Sequence, residues 1–242
     1  MTVKRAVILA GGMGKRLAPF TFVIPKPMAP IGTTPILEIV LRQLARYGFE
    51  RVTIALGHMS EFIRAFAGDG SKYGVRVDYS QETKPLGTMG PLRLIGDLPD
   101  QFLVMNADLL TDLDFRRLCS YHSHQEGILT VATYRKATKL ELGVLETDES
   151  NQVVEFCEKP ELRHNVSMGI YVFRKSALQY IPPDTYFGFD TLMHTLLMHR
   201  LPIKSFPFDG QWLDIGVPAD YEKAQEEFEQ NRARYLPVEV LV

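Results

Sequence analysis

Short apolar runs alternate with amphipathic segments through the first half of the chain, and this alternation constrains the fold more than any other feature. The first run, Ala6–Leu9, is rich in β-formers and ends in glycines, whereas residues 36–48 repeat apolar side chains at the i, i+4 spacing of a helix that Gly48 ends. Further strands and one short helix (62–66) follow, the strands at 52–56, 75–79 and 102–105. This order predicts right-handed crossovers and a mainly parallel sheet that is covered on both faces.

After about residue 125 the pattern changes to strands with little helix between them. Two helices are predicted near the end of the chain, one at 189–199 and a long charged one at 217–234 that has Pro218 in its first turn. The strands of this region are predicted at 128–134, 143–147, 153–157 and 166–173. We therefore predict a single α/β domain over residues 1–242, with a parallel half over about 1–125 and an antiparallel or mixed lobe over about 126–215.

Composition excludes several classes of protein. The hydrophobic share of 45% and charged share of 23% are those of a globular domain, which excludes disorder and coiled coil. A net charge of -2 argues against a general nucleic-acid binder, and no apolar run approaches a signal peptide or the ~20 residues of a membrane span. The two cysteines, Cys119 and Cys157, match no zinc spacing. We predict a reduced, cytoplasmic protein with neither a membrane nor a nucleic-acid partner.

A glycine-rich loop follows the first predicted strand. Three glycines in four residues, Gly11, Gly12 and Gly14, let the backbone approach a bulky anion and turn its N–H groups toward it. The loop lacks the Gly-Lys-Ser/Thr ending of a Walker A motif, and it lacks the Gly-x-Gly-x-x-Gly fingerprint of dinucleotide oxidoreductases. The glycines alone are equally typical of a tight strand-to-helix turn that binds nothing.

Two cations near this loop favour a phosphate site. Lys26 lies between Pro25 and Pro27, which hold its neighbours extended and limit where its ammonium group can point. Arg16 closes the glycine-rich loop. An arginine that grips phosphate oxygens bidentately and a lysine that acts as a point charge together suit a polyphosphate, although either residue alone is most often solvated.

The run from Leu9 to Pro19, followed by Pro25-Lys26-Pro27-Met28, resembles the signature of the sugar nucleotidyltransferases, the nucleoside-diphosphate-sugar pyrophosphorylases. Weaker matches continue in chain order at 85–88, 106–108, 158–160, Asn165 with Gly169, and 212–216. The resemblance is strongest to the short single-domain guanylyltransferases that act on mannose 1-phosphate or heptose 1-phosphate. It implies a Rossmann-like, glycosyltransferase-A-like core with a mixed, mainly parallel sheet flanked by helices and a smaller sugar-binding lobe.

The resemblance also implies a reaction. A sugar 1-phosphate attacks the α-phosphorus of a nucleoside triphosphate, pyrophosphate leaves, and Mg²⁺ is the cofactor. The partners are then the two substrates, with a homodimer left open. On this interpretation residues 1–125 bind the nucleotide and residues 126–215 bind the sugar phosphate. Since the chain ends at Val242, before the β-helix or regulatory tail of many relatives, we expect no acetyltransfer by a second domain.

The resemblance assigns roles to individual residues. Arg16, Lys26 and Asp108 are the expected catalytic residues, and Asp108 and Asp214 the expected metal ligands. Asp108 follows a buried strand, where ligands gather in open α/β sheets, and carboxylates suit magnesium. Without the resemblance, Asp108 could cap a turn, and for Asp214 an ion pair would be favoured over a metal site. The expected nucleotide contacts are Leu9, Ala10, Gly11, Gly12, Gly14, Arg16, Glu82, Gly87 and Thr88, and the expected sugar-phosphate contacts are Lys26, Gly143, Glu158, Lys159 and Asn165.

The nucleobase and the sugar are predicted separately. In the family the segment around Glu82 faces the base, and an ionised glutamate accepts from the two adjacent donors of guanine, which favours GTP. If Gln81 contacts the base instead, the preference moves to dTTP or UTP, and CTP is a further alternative. Leu142 stands where many relatives have an aromatic residue, which leaves the sugar open between mannose and manno-heptose types.

A second class of function is a catalytically silent homologue that binds a nucleotide sugar and regulates a partner. Such a homologue would be free to lose its metal carboxylates and phosphate cations. Arg16, Lys26, Asp108 and Asp214 are all present, so we favour an active nucleotidyltransferase.

Overall fold

A seven-stranded mixed β-sheet forms the centre of the molecule, which a computed structural model describes over residues 3–18 and 20–236. The strands, in chain order, are β1 Arg5–Ala10, β2 Pro30–Ile31, β3 Thr34–Pro35, β4 Arg51–Leu56, β5 Arg76–Gln81, β6 Gln101–Asn106, β7 Leu109–Thr111, β8 Leu129–Lys139, β9 Gly143–Thr147, β10 Val153–Glu158, β11 Glu161–Arg174, β12 Ile203–Phe208 and β13 Trp212–Asp214. Seven of them form the central sheet in the order β12-β8-β11-β6-β1-β4-β5. The other six form three two-stranded pairs, β2 with β3, β7 with β13, and β9 with β10. Strand β11 is antiparallel to both of its neighbours, and the other pairings in the sheet are parallel. The predicted mixed, mainly parallel α/β sheet is confirmed.

Helices cover both faces of the sheet. They are α1 Ile36–Arg46, α2 Ser60–Ala67, α3 Phe115–Ser123, α4 Phe189–Met198 and α5 Pro218–Tyr235. Short 3₁₀ helices lie at Lys15–Leu17, Phe20–Phe22, Lys26–Met28, Ser71–Tyr73, Gly90–Leu94 and Lys175–Tyr180. Along β1, Ala6 and Ile8 pack into one apolar cluster while Val7 packs into the other, and all three are fully buried. This two-sided burial explains why the strand is a continuous apolar run rather than an alternating one.

Most predicted elements are present, with shifted ends. Helix α1 ends where expected, because Gly48 has φ +81° and its N–H donates to the carbonyl of Ala45 at 2.9 Å. Helix α5 has Pro218 in its first turn, as predicted, and bends at Asn231. Sequence analysis did not predict α3, whose N-cap Asp114 accepts from two backbone N–H groups, or the edge strand β12.

A two-stranded extension leaves the sheet on one side. Beyond the sheet, β8 and β11 continue to pair, with Lys139 opposite Glu161, and β9 and β10 pair next, with Gly143 opposite Glu158. We call residues 135–165 the arm. Its side chains are exposed over nearly its whole length, in contrast to the buried halves of the same two strands inside the sheet.

The helices give no sign of a membrane span. Over residues 3–18 and 20–236, no helix combines the length and the apolar character needed to cross a bilayer. The longest one, α5, is charged along its length and packs through Ala224 and Phe228.

Candidate active site

A cavity of about 940 Å³ opens at the carboxyl edge of the parallel strands. The ends of β1, β4 and β6 and the loop after β5 contribute to its walls, which is where open α/β sheets bind ligands. It brings together every nucleotide-site residue that the sequence predicts, and all three of the predicted catalytic residues. These are Leu9, Ala10, Gly11, Gly12, Gly14, Arg16, Glu82, Gly87 and Thr88, with Lys26 and Asp108.

The glycines of the first loop serve different purposes. Gly14 has φ +62°, and a Cβ there would lie 2.9 Å from Cγ2 of Thr21 and 3.1 Å from Cβ of Lys26. The Thr21 hydroxyl also donates to the Gly14 carbonyl at 3.0 Å. A Cβ on Gly12 would meet nothing within 4 Å. Gly14 therefore allows the Lys26 segment to pack closely, whereas Gly12 leaves space on the cavity side.

Lys26 and Asp108 form an ion pair in the cavity, with side chains only 12% and 18% exposed. The Lys26 ammonium contacts Oδ2 of the aspartate. Oδ1 of Asp108 is buried and has no hydrogen-bond partner among the described residues. A buried carboxylate oxygen without a donor is costly unless a cation or a ligand satisfies it.

Short strands bring Asp214 beside Asp108. Asp214 pairs with Leu109 where β13 meets β7, and the N–H of Ile215 donates to the Asp108 carbonyl at 3.0 Å. A Cβ on Gly216 would lie 3.6 Å from both Oδ2 of Asp214 and Nη2 of Arg16, so these two side chains approach the same point. The four predicted charged residues thus form one cluster.

The electrostatics of this cluster favour a cation. Asp214 is partly open to solvent, but the protein around its carboxyl removes part of the hydration of the charged form. This desolvation raises the pKa of the Asp214 carboxyl, and the negative charge of Asp108 raises it further. Lys26 and then Arg16 oppose this rise in pKa. Two adjacent carboxylates repel each other, and a divalent cation between them would remove that repulsion.

The residues present fit a magnesium ion. Asp108 offers a buried Oδ1 that has no hydrogen-bond partner in the described part of the chain, and Asp214 offers a second carboxylate. Within the described part of the chain, no group of three or more His, Cys, Asp or Glu side chains is placed to hold a metal. One or two carboxylates, completed by substrate phosphates and water, is the usual donor set of Mg²⁺ at nucleotide sites.

Glu82 also lines the cavity, beside the glycine-rich loop and Gly57. Its Oε2 accepts from the N–H of Leu86 at 3.0 Å, and its Oε1 lies 3.0 Å from the position of a Cβ on Gly11 and 2.6 Å from one on Gly57. Burial raises the pKa of the Glu82 carboxyl, while the bond from Leu86 opposes that rise. The neighbouring Gln81 turns its amide to the Gly57 carbonyl at 3.3 Å and does not line the cavity.

Gly87 packs against another part of the chain. It has φ +75°, and a Cβ there would lie 2.8 Å from the carbonyl oxygen of Phe187. Gly90 similarly leaves room for Thr185, whose carbonyl oxygen would be 2.9 Å from a Cβ. Because these two positions have no Cβ, the loop after β5 can pack directly against the backbone of the segment before α4.

The predicted sugar-phosphate residues other than Lys26 lie on the arm and do not line the cavity. Gly143 and Glu158 face each other across β9 and β10, where a Cβ on Gly143 would lie 3.2 Å from Oε2 of Glu158. Lys159 has φ +48° and its ammonium lies 4.0 Å from Glu141, while Asn165 is placed on β11. Their role in binding a sugar phosphate stays a prediction.

Several residues that line the cavity had no site role predicted from the sequence, although 106–108 was one of the weaker matches to the family signature. Gly57 and His58 follow β4 directly, so the rule that placed Asp108 at the end of its strand would also have found them. Asn106 is the last residue of β6 and lines the cavity. Gly169, which has φ +73°, leaves room for it, because a Cβ at residue 169 would lie 2.6 Å from the amide nitrogen of Asn106. Tyr186 comes from the segment before α4, and no local pattern indicates it.

Comparisons with known proteins agree with this geometry. Over 240 residues the chain is 32% identical to a UTP–glucose-1-phosphate uridylyltransferase of Synechocystis sp., which covers 91% of this chain and 62% of that protein. It is 32% identical over 226 residues to a mannose-1-phosphate guanylyltransferase catalytic subunit beta of Drosophila pseudoobscura pseudoobscura, covering 90% and 60% respectively. The chain therefore spans about three fifths of the length of these curated relatives.

A solved structure and a family model extend the likeness. HddC from Yersinia pseudotuberculosis matches with a TM-score of 0.74 and 28% identity over 94% of this chain and 100% of that one, and the same protein has been solved in complex with GMP-PN. The model of the nucleotidyl transferase family matches residues 5–231. The chain belongs to the nucleotidyl transferase family.

Proposed function

We propose that this chain is a sugar-1-phosphate nucleotidyltransferase that uses GTP and a mannose-type or manno-heptose-type sugar 1-phosphate. The observation that carries the proposal is the cluster of Arg16, Lys26, Asp108 and Asp214 beside the glycine-rich loop, inside or next to one cavity. Two cations and two carboxylates at this point match what a triphosphate with its magnesium ion requires. We also propose a cytoplasmic location, where both substrates occur.

The reaction is an in-line displacement. An oxygen of the sugar phosphate attacks the α-phosphorus, the bond between the α-phosphorus and the bridging oxygen breaks, and pyrophosphate leaves with that bond's electron pair. The attacking phosphate is already ionised near pH 7, so no side chain has to take up a proton. The protein's part is to position two anions and to stabilise their charge.

Each charged residue then has a distinct task. Arg16 binds the triphosphate and the leaving pyrophosphate, and Lys26 holds the phosphates near the point of attack. Asp108 and Asp214 hold the Mg²⁺ ion, which when bound supplies positive charge to the phosphate oxygens. Asp108 also keeps the Lys26 ammonium in the cavity before the substrate arrives.

Selection of the base rests on Glu82. Its carboxylate lines the cavity and is acceptor-only when ionised, which suits the two adjacent donors of guanine. The amide of Gln81, which would suit uracil or thymine better, is bonded to the Gly57 carbonyl instead. HddC, which matches this chain over 94% of its length, has been solved in complex with GMP-PN. This complex supports a guanine nucleotide as the substrate.

The sugar end of the substrate is assigned to the arm. Glu158 and Asn165 offer acceptors and a donor for sugar hydroxyls, and Lys159 offers a cation for the sugar's phosphate. Gly143 lets the Phe156 ring and the Glu158 carboxylate pack against its backbone.

Release of pyrophosphate with Mg²⁺ tests the proposal, measured across four nucleoside triphosphates and a panel of sugar 1-phosphates. The expected result is release that needs both substrates and is fastest with GTP and mannose 1-phosphate or a manno-heptose 1-phosphate. Faster release with UTP, dTTP or CTP would keep the reaction and overturn the role of Glu82. No release from any pair, with nucleotide binding still detected by calorimetry, would indicate the catalytically silent homologue.

A further inference from the structure

Residues 183–187, which we call the strap, lie across the loop that carries the predicted base site. The strap is bonded to this loop at several points. The ammonium of Lys84 pairs with Asp184 at 2.8 Å, and the N–H of Phe187 donates to the Leu86 carbonyl at 2.9 Å. The carbonyl of Phe187 in turn accepts from the N–H of Met89 at 2.9 Å and from that of Gly90 at 3.2 Å.

Packing holds the strap in the same place. Phe187 is only 7% exposed and belongs to the apolar cluster beneath the loop. The backbones of Thr185 and Phe187 occupy the space that side chains on Gly90 and Gly87 would need. Backbone bonds, an ion pair and close glycine contacts therefore fix the strap on both sides of residue 186.

Tyr186 projects from this fixed backbone and lines the cavity. It is 71% exposed, although both of its chain neighbours are held against the loop. The same cavity is lined by Glu82, Pro85 and Gly87. A largely exposed aromatic ring on a rigid support contributes little to the core, but it offers a flat apolar face to a planar ligand.

We propose that Tyr186 is a specificity-determining residue whose ring stacks on the nucleobase that Glu82 hydrogen-bonds. This inference rests on the proposed function, because it assumes that a nucleoside triphosphate occupies the cavity. Stacking of a base on an aromatic side chain changes affinity by about 5-fold to 150-fold on replacement by alanine. Since a purine presents a larger face than a pyrimidine, the ring should favour GTP over UTP.

The experiment is calorimetric titration of the full chain with three probes: Mg²⁺–GTP, Mg²⁺–UTP and Mg²⁺–tripolyphosphate, which has no base. Tyr186→Ala is expected to weaken GTP binding by at least ~5-fold, to weaken UTP binding less, and to leave tripolyphosphate binding unchanged. Tyr186→Phe keeps the ring and is expected to bind all three probes as the unaltered protein does. Phe62→Ala removes another exposed aromatic ring, on α2 and outside the cavity lining, and serves as the matched control.

Three outcomes would overturn the inference. Equal GTP affinity of Tyr186→Ala and the unaltered protein would exclude stacking. Equal loss in Tyr186→Phe and Tyr186→Ala would assign the effect to the hydroxyl group, and an equal loss of tripolyphosphate binding would assign it to the phosphates. Failure of the proposed function is distinguishable, because the unaltered protein would then bind nucleotide without releasing pyrophosphate, or bind no nucleoside triphosphate at all.

Discussion

The cavity and the arm carry the two halves of the predicted site, and they differ sharply in how the fold supports them. In the cavity, Asp108 comes just after the buried strand β6 and contacts Lys26, whose side chain is also largely buried. On the arm, Glu158 and Asn165 lie on a two-stranded ribbon whose apolar side chains are also exposed, Leu145 at 58% and Phe156 at 60%. A ribbon of two strands has little stability of its own.

The difference shows what positions a polar side chain. Buried strands fix the backbone to within a narrow range, so a residue just past such a strand is held in place before any ligand binds. Residues on the exposed ribbon have no such support, because main-chain pairing and solvent-exposed side-chain contacts, such as that of Lys159 with Glu141, hold them. We therefore expect the cavity to account for nucleotide binding and chemistry, and the arm to contribute affinity for the second substrate.

The most damaging change should be Asp108→Asn, which tests whether the chemistry resides in the cavity. It removes a proposed metal ligand and the partner of Lys26 together. We expect kcat/KM for pyrophosphate release to fall by at least about 10²–10³-fold with GTP and mannose 1-phosphate. The circular dichroism spectrum should be unchanged, since the side chain is at the site and outside the main core.

Asp209→Asn provides the control for this loss of charge. Asp209 is an exposed aspartate outside the cavity lining, and its replacement should leave turnover as it is. Substantial activity in Asp108→Asn would mean that Asp108 is not a metal ligand, and the contrast between cavity and arm would lose its functional meaning.

Glu82→Gln sharpens the comparison within the cavity. Because an amide presents both a donor and an acceptor, it no longer matches the two donors of guanine. The ratio of kcat/KM for GTP to that for UTP should fall by about 10-fold to 100-fold, the range for a hydrogen bond to a charged group. Parallel assays with both triphosphates measure this ratio directly.

Gln81→Ala separates the two candidate base readers. The Gln81 side chain is bonded to the Gly57 carbonyl and lies outside the cavity lining, so its loss should leave the GTP-to-UTP ratio unchanged. A ratio that moves in Gln81→Ala and stays constant in Glu82→Gln would exchange the roles of the two residues.

Sequence alone predicted the cavity better than it predicted the elements that hold it together. Apolar runs located the buried strands, and the position of Asp108 after one of them placed it at the carboxyl edge. The pairing of β7 with β13 was not predicted, because three-residue strands have no measurable periodicity. Helix α3 was missed although Asp114 is a good N-cap residue and the buried side chains of Phe115, Leu118, Cys119 and His122 follow the i, i+3, i+4, i+7 spacing of a helix. One member of this stripe is a histidine and the helix has only nine residues, so its apolar signal is weak.

Contacts between distant loops could not be predicted at all. Gly87 and Gly90 each have a packing partner, but that partner lies in the strap, far along the chain. The same holds for Tyr186, which faces the cavity because two loops fit together. A pattern of residue types records local geometry, whereas these contacts depend on how separate segments meet in three dimensions.

The arm can be tested through the second substrate. Glu158→Gln should raise KM for the sugar 1-phosphate by about 10-fold, as expected when hydrogen bonds to a charged acceptor weaken, and should leave the Kd of Mg²⁺–GTP unchanged. Glu155→Gln is the matched control, because Glu155 lies on the same strand and, by strand alternation, on the opposite face. Equal effects of the two substitutions would show that the arm acts only through its overall charge.

The smallest effect concerns stability and contrasts a core histidine with one on the arm. His122 is fully buried, its Nδ1 lies 2.8 Å from the Thr130 hydroxyl, and its Nε2 has no partner among the described residues. Burial, and next the charge of Arg174, lowers the pKa of His122 from 6.5 to about 4. Between these two pKa values the unfolded chain binds a proton that the folded chain does not, so stability falls as the pH is lowered through this window.

Lowering the pH from 7 to 5 should therefore reduce the free energy of unfolding by about 2 kcal/mol through His122 alone. Urea titrations at the two pH values measure this loss, which His122→Asn should remove, because asparagine does not titrate. His164→Asn alters an exposed histidine on the arm and should leave the loss as it is. If His164→Asn removed it instead, the acid sensitivity would belong to the arm, and the arm would have to be packed more closely in solution than its exposed side chains indicate.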